Sequence, residues 1–178
     1  MENTDYYHQE SEQFYFRKMK MSDKQVWRAF FIDNDRLRFL GIQSADNTPD
    51  QLAEIFIQRQ LDRYKETGLG QLAVHLKNTN EFVGVAGVLA KTIDNTLMHE
   101  VAYSLLPVYW GKGYATEMAQ QMKHFGFKQL GLKSMVSIIH IENYDSAKVA
   151  IKNGMTIWKN SYHLNMDVLV YKITNSVN

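Results

Sequence analysis

The chain has 178 residues, of which 45% are hydrophobic, and its 20 Lys and Arg residues nearly balance 19 Asp and Glu residues. This length predicts one domain, residues 1–178, that buries its own core, and no cysteine is present to form a disulfide. A net charge of +1 lacks the basic excess of nucleic-acid-binding proteins, and no apolar run approaches the roughly 20 residues that span a bilayer. Without signal-peptide features at its start, we expect a cytoplasmic protein with no nucleic-acid or membrane partner.

The first predicted elements follow a polar N-terminal segment. Residues 1–12 are polar and acidic, which predicts poor order. The alternating run FYFRKMKM, residues 14–21, predicts a strand. Ser22 and Gln25 then have the spacing of a capping box before an apolar stripe, which predicts a first helix that ends near Asp33.

A second helix and an antiparallel meander come next. Thr48, Pro49 and Gln51 give a helix start signal with proline at the first helical position, and Gly68 gives the stop. Short polar turns then separate three strand-like runs, as expected for hairpins. These runs cover residues 71–77, 82–91 and 97–105.

The last third of the chain predicts alternating helices and strands. The predicted elements are a helix from about 115 to 130, a buried strand over 134–141, a helix over 143–153 closed by Gly154, and a hairpin of 155–159 with 164–173 across Asn160 and Ser161. The order is β-α-α-β-β-β-α-β-α-β-β. It predicts a mixed α/β domain, a mostly antiparallel seven-stranded sheet flanked by about four helices.

The most informative stretch is the glycine-rich turn Trp110–Ala115, WGKGYA, between a strand and an amphipathic helix. Small residues at 111, 113 and 115 let backbone N–H groups approach a phosphate, and Lys112 adds a positive charge. A turn that only caps a helix has the same spacing, so the pattern alone leaves both interpretations open. Two other phosphate loops are excluded, because there is no GxxxxGK[ST] and no dinucleotide fingerprint with its acidic partner.

These residues resemble the GNAT superfamily of acetyl-CoA-dependent N-acetyltransferases. Its pyrophosphate motif Q/R-x-x-G-x-G/A is matched by Trp110–Ala115, with Trp in the first position, and WGKGYATE is similar to the RimJ/RimL-like branch. The second element of that branch is matched by Asn143–Ser146, a helix and Gly154. The resemblance covers residues 14–173. It implies transfer of acetyl from acetyl-CoA, as cosubstrate and without a metal, to a primary amine by direct attack in a ternary complex.

The resemblance also implies where the cofactor binds. The strand before the loop would splay from its neighbour, and the pantetheine arm would pair with the edge from Tyr103 to Val108. The N–H of Leu105 or Leu106 would then face the thioester oxygen as oxyanion donor. The implied cofactor-binding residues are Leu105, Leu106, Val108, Trp110, Gly111, Lys112, Gly113, Tyr114, Ala115, Thr116, Asn143 and Ser146.

The amine needs a base, and the departing thiolate needs a proton. Glu100 is the candidate base, because strand alternation puts it on one face with Ala102 and Ser104, although an exposed strand carboxylate gives the same pattern. His99 points to the other face and is the weaker candidate. Many superfamily members donate the proton from a tyrosine that corresponds here to Ala150, which leaves Ser146 or water as donor. The six histidines show no metal-binding spacing.

The acceptor is the open part of this prediction. By resemblance, the segments Asp33–Asn47 and Lys159–Asn165 would form its site, and a ribosomal or other protein N-terminus, a polyamine, an aminoglycoside or an amino acid would fit the amine class. Because the usual tyrosine donor is missing, a non-catalytic acyl-CoA-binding module is the alternative. A homodimer is compatible with the sequence, which does not decide the oligomeric state.

Overall fold

Seven strands form one sheet in the computed structural model, which describes residues 4–42 and 46–176. The strands are β1 Phe14–Arg17, β2 Gly70–Leu76, β3 Phe82–Ile93, β4 Thr96–Leu105, β5 Ser134–His140, β6 Thr156–His163 and β7 Met166–Thr174. Their spatial order is β1-β2-β3-β4-β5-β7-β6, and only β4 and β5 run parallel to each other. The predicted fold class is confirmed.

Helices cover both faces of the sheet. They are α1 Lys24–Trp27, α2 Pro49–Thr67, α3 Tyr114–Lys128 and α4 Tyr144–Lys152. Met118 and Met122 of α3 are fully buried in a core between the sheet and the layer of α3 and α4. Trp27 and Ile57 are fully buried in a second core under α1 and α2. None of the helices in residues 4–42 and 46–176 is long and apolar enough to cross a membrane.

Local signals explain where α2 begins and why α1 is short. The Thr48 hydroxyl accepts from the Gln51 N–H, and the Gln51 side chain accepts from the Thr48 N–H, which is the capping box that the sequence predicts. The Ser22 and Gln25 box does not start a long helix. Instead the Asp23 carboxylate accepts from the Lys20 N–H at 2.8 Å, and α1 is a single turn between 3-10 turns at 21–23 and 28–31.

The final hairpin turns later than predicted. Asn160 and Ser161 lie inside the ladder of β6 and β7, and the reversal takes place at Leu164 and Asn165 with φ of 51° and 60°. The prediction placed the turn at the polar pair, but β6 is the edge strand of the sheet. Polar side chains are tolerated along such an edge, so they do not mark the reversal.

The N-terminal segment is ordered from residue 4 onward, so the prediction of poor order over 1–12 is wrong for 4–12. The Tyr6 hydroxyl contacts the Gly70 carbonyl and accepts from the Val88 N–H at 2.8 Å, and the Tyr7 hydroxyl donates to the Gly68 carbonyl at 2.9 Å. Burial of two tyrosines against the sheet outweighs the polar character of their neighbours. Residues 1–3 lie outside the described residues.

Candidate active site

Strands β4 and β5 diverge in the middle of the sheet. They pair only where Glu100 lies opposite Val136, and the Ser137 hydroxyl donates to the Val101 carbonyl at 3.2 Å just beyond that point. From residue 102 to Leu105, β4 pairs with β3 on one side, and no strand of the described residues pairs with its other side. This part of β4 therefore presents backbone groups to a V-shaped opening, as the resemblance implies.

The direction of the backbone amides distinguishes the two candidate oxyanion donors. The Leu106 N–H donates to the Val83 carbonyl at 3.0 Å, on the β3 side. Successive N–H groups of a strand point to opposite edges, so the Leu105 N–H points into the opening. The Leu106 side chain is also buried in the core under α1 and α2. Leu105 remains the candidate donor, and Leu106 is excluded because its N–H is already bonded.

A cleft of about 580 Å³ occupies the opening, between β4, the glycine loop and α4. Most of the residues that the sequence analysis assigned to cofactor binding line this cleft. Those that line it are Leu105, Trp110, Gly111, Gly113, Tyr114, Ala115, Thr116, Asn143 and Ser146. Val108 does not line it, because this residue lies in a 3-10 turn with its side chain 71% exposed. Lys112, between the two loop glycines, also lies outside the lining.

The glycine loop has the geometry of an anion cradle. Gly111 and Gly113 have φ of 77° and 80°, a left-handed conformation that other residues adopt only with strain. A Cβ added at either glycine would meet no atom within 4 Å, so open space lies over both. Helix α3 begins at Tyr114, and the first N–H groups of a helix have no partner within it. These features fit a pyrophosphate group.

Two lysines that the sequence analysis did not assign also line the cleft, and the first of them pairs with Asp145 at 3.7 Å. Lys148 and Lys152 lie four residues apart on α4, on the same helix face, and both line the cleft. The sequence signal for them was their position on the predicted helix after Asn143, where residues four apart share a helix face. Asn153, at the end of α4, donates to the Thr116 carbonyl at 3.5 Å and so ties α4 to the start of α3. Basic side chains here match the negative charge that the loop amides would hold.

Trp110 replaces the Gln or Arg of the family motif and has a structural contact of its own. Its indole N–H donates to the Leu105 carbonyl at 3.0 Å, which links the loop to the end of β4. The Arg36 guanidinium lies over the indole ring and pairs with Asp145 of α4 at 2.7 Å. Arg36 therefore crosses the mouth of the cleft, a contact that the sequence did not indicate.

Ser146 meets a second hydroxyl that the sequence analysis missed. The Tyr103 and Ser146 hydroxyl oxygens are 3.0 Å apart, and both residues line the cleft. Strand alternation with Leu105 was the available signal for Tyr103, since both project to one face of β4. The Asn143 side chain accepts from the Ser146 N–H at 3.2 Å and so acts as the N-cap of α4.

Glu100 lies on the opposite face of β4 and does not line the cleft. Its carboxylate is 9% exposed and lies 2.6 Å from the Lys91 ammonium. The oxygen that the ammonium contacts is the buried Oε2 atom. Ser104, four residues further along the same face, does line the cleft. His163 lies near both charges, and burial lowers the pKa of its imidazole.

The two segments expected to hold the acceptor meet next to this face. The Gly41 backbone lies against Leu164 at the tip of the last hairpin, where an added Cβ would come within 3.2 Å of the Leu164 Cβ. The first segment, Asp33–Asn47, includes residues 43–45, which lie outside the described residues. Across residues 4–42 and 46–176, no group of three acidic or histidine side chains is placed to hold a metal ion.

Comparison with known proteins gives a family match for the chain. The model of the acetyltransferase (GNAT) domain matches residues 13–156. The Bacillus subtilis protein YkkB is 33% identical over 54% of this chain, and the match spans 56% of that relative's own length. A Bacillus licheniformis protein, described as the uncharacterized N-acetyltransferase p20, is 27% identical over 78% of this chain and 76% of its own.

Solved structures share the whole fold. An acetyltransferase from Agrobacterium tumefaciens superposes with a TM-score of 0.78 at 25% identity and covers 94% of both chains. RimL, described as a ribosomal L7/L12 alpha-N-protein acetyltransferase in complex with coenzyme A, superposes with a TM-score of 0.72 at 17% identity. That match covers 94% of this chain and 97% of RimL. At 17% identity, the similarity to RimL shows a shared fold and nothing more specific.

Proposed function

The chain belongs to the GNAT acetyltransferase family and is an acyltransferase, and from this premise we propose that it transfers acetyl from acetyl-CoA to a primary amine by direct attack in a ternary complex. The observation that carries the proposal is the divergence of β4 from β5, which leaves the Leu105 N–H pointing into a cleft that ends at the glycine loop. Activated acetyl, a thioester, is what the cofactor supplies when bound.

Different residues of the chain bind different parts of the cofactor. Backbone amides of residues 111–115, together with Lys148 and Lys152, bind the pyrophosphate end. The free edge of β4 from Tyr103 to Leu105 hydrogen-bonds the amides of the pantetheine arm, as an added strand would. Thr116, which directly follows the loop and lines the cleft, adds a hydroxyl contact to the phosphates, and Lys112, inside the loop but outside the lining, adds a positive charge nearby. Asn143 holds the start of α4 in place.

The chemical step requires the same backbone to stabilise charge. The Leu105 N–H donates to the thioester oxygen as negative charge develops there, which is the usual work of an oxyanion hole. Glu100 takes the amine proton through water, since its carboxylate lies on the face that also carries Ser104. The close approach of Gly41 to Leu164 supports an acceptor site next to this face. Ser146 lines the side of the cleft where the thiolate of CoA would leave.

The acceptor belongs to the class of primary amines, and a protein N-terminus or a small amine is the proposed member. The segment before Gly41 carries both acidic and basic side chains, and in the structure Arg36 and Arg38 pair with Asp145 and Glu142. These pairs neutralise both arginines, so neither repels an approaching amine. A peptide N-terminus is compatible with that balance, as is a small amine.

The test is CoA release from acetyl-CoA with a panel of amines. The panel contains peptides that begin with Ser or Ala, spermidine, an aminoglycoside and free amino acids, and mass spectrometry checks for an acceptor that gains one acetyl group. We expect release only with an amine present. Stable acetyl-CoA binding without release across the panel would contradict catalysis and favour the acyl-CoA-binding module.

A further inference from the structure

We propose that Tyr103, held by Ser146, is a catalytic residue that donates the proton to the departing thiolate of CoA. The inference rests on the proposed acetyl transfer. It concerns the step for which the family's usual tyrosine has no counterpart, because the corresponding position is the buried Ala150. A phenol delivered by a strand would replace one delivered by a helix.

The placement of the phenol carries the inference. Tyr103 lines the cleft and projects from β4 toward α4, with its hydroxyl 3.0 Å from the Ser146 hydroxyl and 3.2 Å from the Ser146 carbonyl. Leu105 is two residues along the same strand, a rise of about 7 Å, so the phenol and the Leu105 N–H serve the same short stretch of the cleft. One group reaches the thioester oxygen and the other reaches the sulfur side.

Hydrogen bonds around the phenol prepare it to donate. Its O–H donates to the Ser146 carbonyl, which leaves the phenol oxygen to accept from the Ser146 hydroxyl. Rotation about one C–O bond redirects the phenol proton from that carbonyl to a sulfur atom in the cleft, while the serine continues to donate. The serine bond stabilises negative charge on the phenol oxygen as its proton moves away.

The protonation state agrees with this direction of transfer. Burial raises the pKa of Tyr103 to about 12, and the bond from Ser146 offsets a part of that rise. The phenol is therefore neutral at physiological pH, so it holds a proton in every turnover. Such a group is suited to donate a proton rather than to take one from the amine.

The step balances without another reactant. The amine nitrogen forms a bond to the carbonyl carbon, the C–S bond breaks, and its electron pair leaves on sulfur. Tyr103 gives its proton to that sulfur as the bond breaks. The proton that Glu100 has taken from the amine then leaves to solvent, and the phenol oxygen regains a proton from solvent through Ser146. The products are an amide and the thiol of CoA, and the enzyme is unchanged.

Other hydroxyls of the cleft are less well placed. Tyr114 and Thr116 belong to the first turn of α3, at the phosphate end, and the Tyr114 ring packs edge-on against Phe14. Ser104 points to the opposite face of β4 from Tyr103. Among the hydroxyls that line the cleft, Tyr103 is thus the one that joins the Leu105 strand to the Ser146 turn.

The experiment compares Tyr103→Phe, Ser146→Ala and the double variant with wild type. We expect Tyr103→Phe to lower kcat about 100-fold while the Kd for acetyl-CoA changes less than threefold, as for loss of a general acid. The double variant should lose little more than Tyr103→Phe alone, because the serine acts through the phenol. Tyr7→Phe is the control, since it removes another buried phenol bonded to a carbonyl but lies outside the cleft.

A fluorinated tyrosine at position 103 separates chemistry from structure. It keeps the hydroxyl and lowers its pKa, so activity should return and then fall at high pH as the phenol ionises, a limb that wild type shows only near pH 12. Wild-type kcat in Tyr103→Phe would overturn the inference, as would a loss matched by weaker acetyl-CoA binding. If wild type itself releases no CoA with any amine, the proposed function fails instead, and the two failures are distinguishable.

Discussion

The Arg36 guanidinium lies 3.9 Å from the ring centroid of Trp110 and 2.7 Å from the Asp145 carboxylate. These two contacts tie the 3-10 segment Asp35–Leu40 to both walls of the cofactor cleft, because Trp110 belongs to the glycine loop and Asp145 to α4. Arg38, two residues later, makes a longer pair with Glu142 at 4.0 Å and lies over the ring of its neighbour Phe39. Arg36 is therefore the residue of this segment that links the two walls, while the buried Leu37 anchors the segment to the core.

Arg36→Ala is expected to free this segment without unfolding the protein. A cation–π contact and an exposed ion pair are each worth about 1 kcal/mol or less, so global stability should fall by no more than about 2 kcal/mol. Hydrogen exchange of the amides of residues 35–42 should become faster, and exchange in β3 should stay unchanged. Arg38→Ala is the matched control and should have little effect. Equal protection of residues 35–42 in wild type and Arg36→Ala would show that the contact does not hold the segment.

Gly113→Glu tests the glycine loop. In wild type, acetyl-CoA at 100 times its Kd should add about 2.7 kcal/mol to the free energy of unfolding, seen as a thermal shift. The glutamate puts negative charge and bulk into the open space over the loop, so the shift should disappear. Gly131→Glu is the control, because Gly131 has a φ of 64° and open space around it but lies outside the cleft. A folded Gly113→Glu protein with a normal shift would exclude the loop as the binding site.

Glu100→Gln tests the proposed base. Glutamine keeps the size of the side chain and removes its basicity, so kcat should fall roughly 100-fold at saturating acetyl-CoA, with the Kd for acetyl-CoA unchanged. The matched control is Glu54→Gln, which makes the same change in an exposed pair with Lys24 at 3.0 Å. Should Glu100→Gln retain wild-type kcat, Glu100 would only be the ion-pair partner of Lys91, and orientation of an already neutral amine would account for the rate.

Asp23→Asn tests the ion pair that anchors β1 to the start of α1. Burial raises the pKa of Asp23. Hydrogen bonds from the Arg17 guanidinium, at 2.7 Å, and from the Lys20 N–H together lower this pKa by more than burial raises it, so the net shift is downward. We expect Asp23→Asn to lower the free energy of unfolding by roughly 2 kcal/mol at pH 7.

The pH dependence of that difference follows from the direction of the shift. The folded-state pKa lies below the unfolded value of about 3.9, so the stabilisation is complete above pH 3.9 and is lost as the pH falls through the folded-state pKa. Urea unfolding at pH 7 and below pH 4 should show the gap between wild type and Asp23→Asn closing. Asp62→Asn, at an exposed pair with Lys65, should change stability little at either pH. A gap that persists in acid would mean that Asp23 acts through packing alone.

Features encoded by neighbouring residues could be predicted from the sequence. The start of α2 depends on Thr48, Pro49 and Gln51, and the glycine loop depends on a run of six residues, so both follow from local hydrogen bonding and backbone preference. The sheet, its order of elements and most of the cleft lining follow from such local patterns together with the family resemblance.

The remaining features depend on contacts between distant parts of the chain. Tyr6 meets Gly70 across 64 residues, and Tyr103 meets Ser146 across 43, so neither pair leaves a local pattern. The turn at Leu164 and Asn165 was missed because neither residue is glycine, although both have positive φ. The orientation of the Leu106 N–H follows from strand register, which the sequence alone does not determine.

The single rung between β4 and β5 gives β4 an edge in the interior of a seven-stranded sheet. Exposed strand edges elsewhere recruit other chains and promote aggregation. Here the first turn of α3 and helix α4 line the cleft over that edge, so the space beside it suits a thin, flexible molecule with amide groups better than a strand of another protein. The fold thereby uses an open strand edge, which elsewhere promotes aggregation, as a binding site for a narrow ligand.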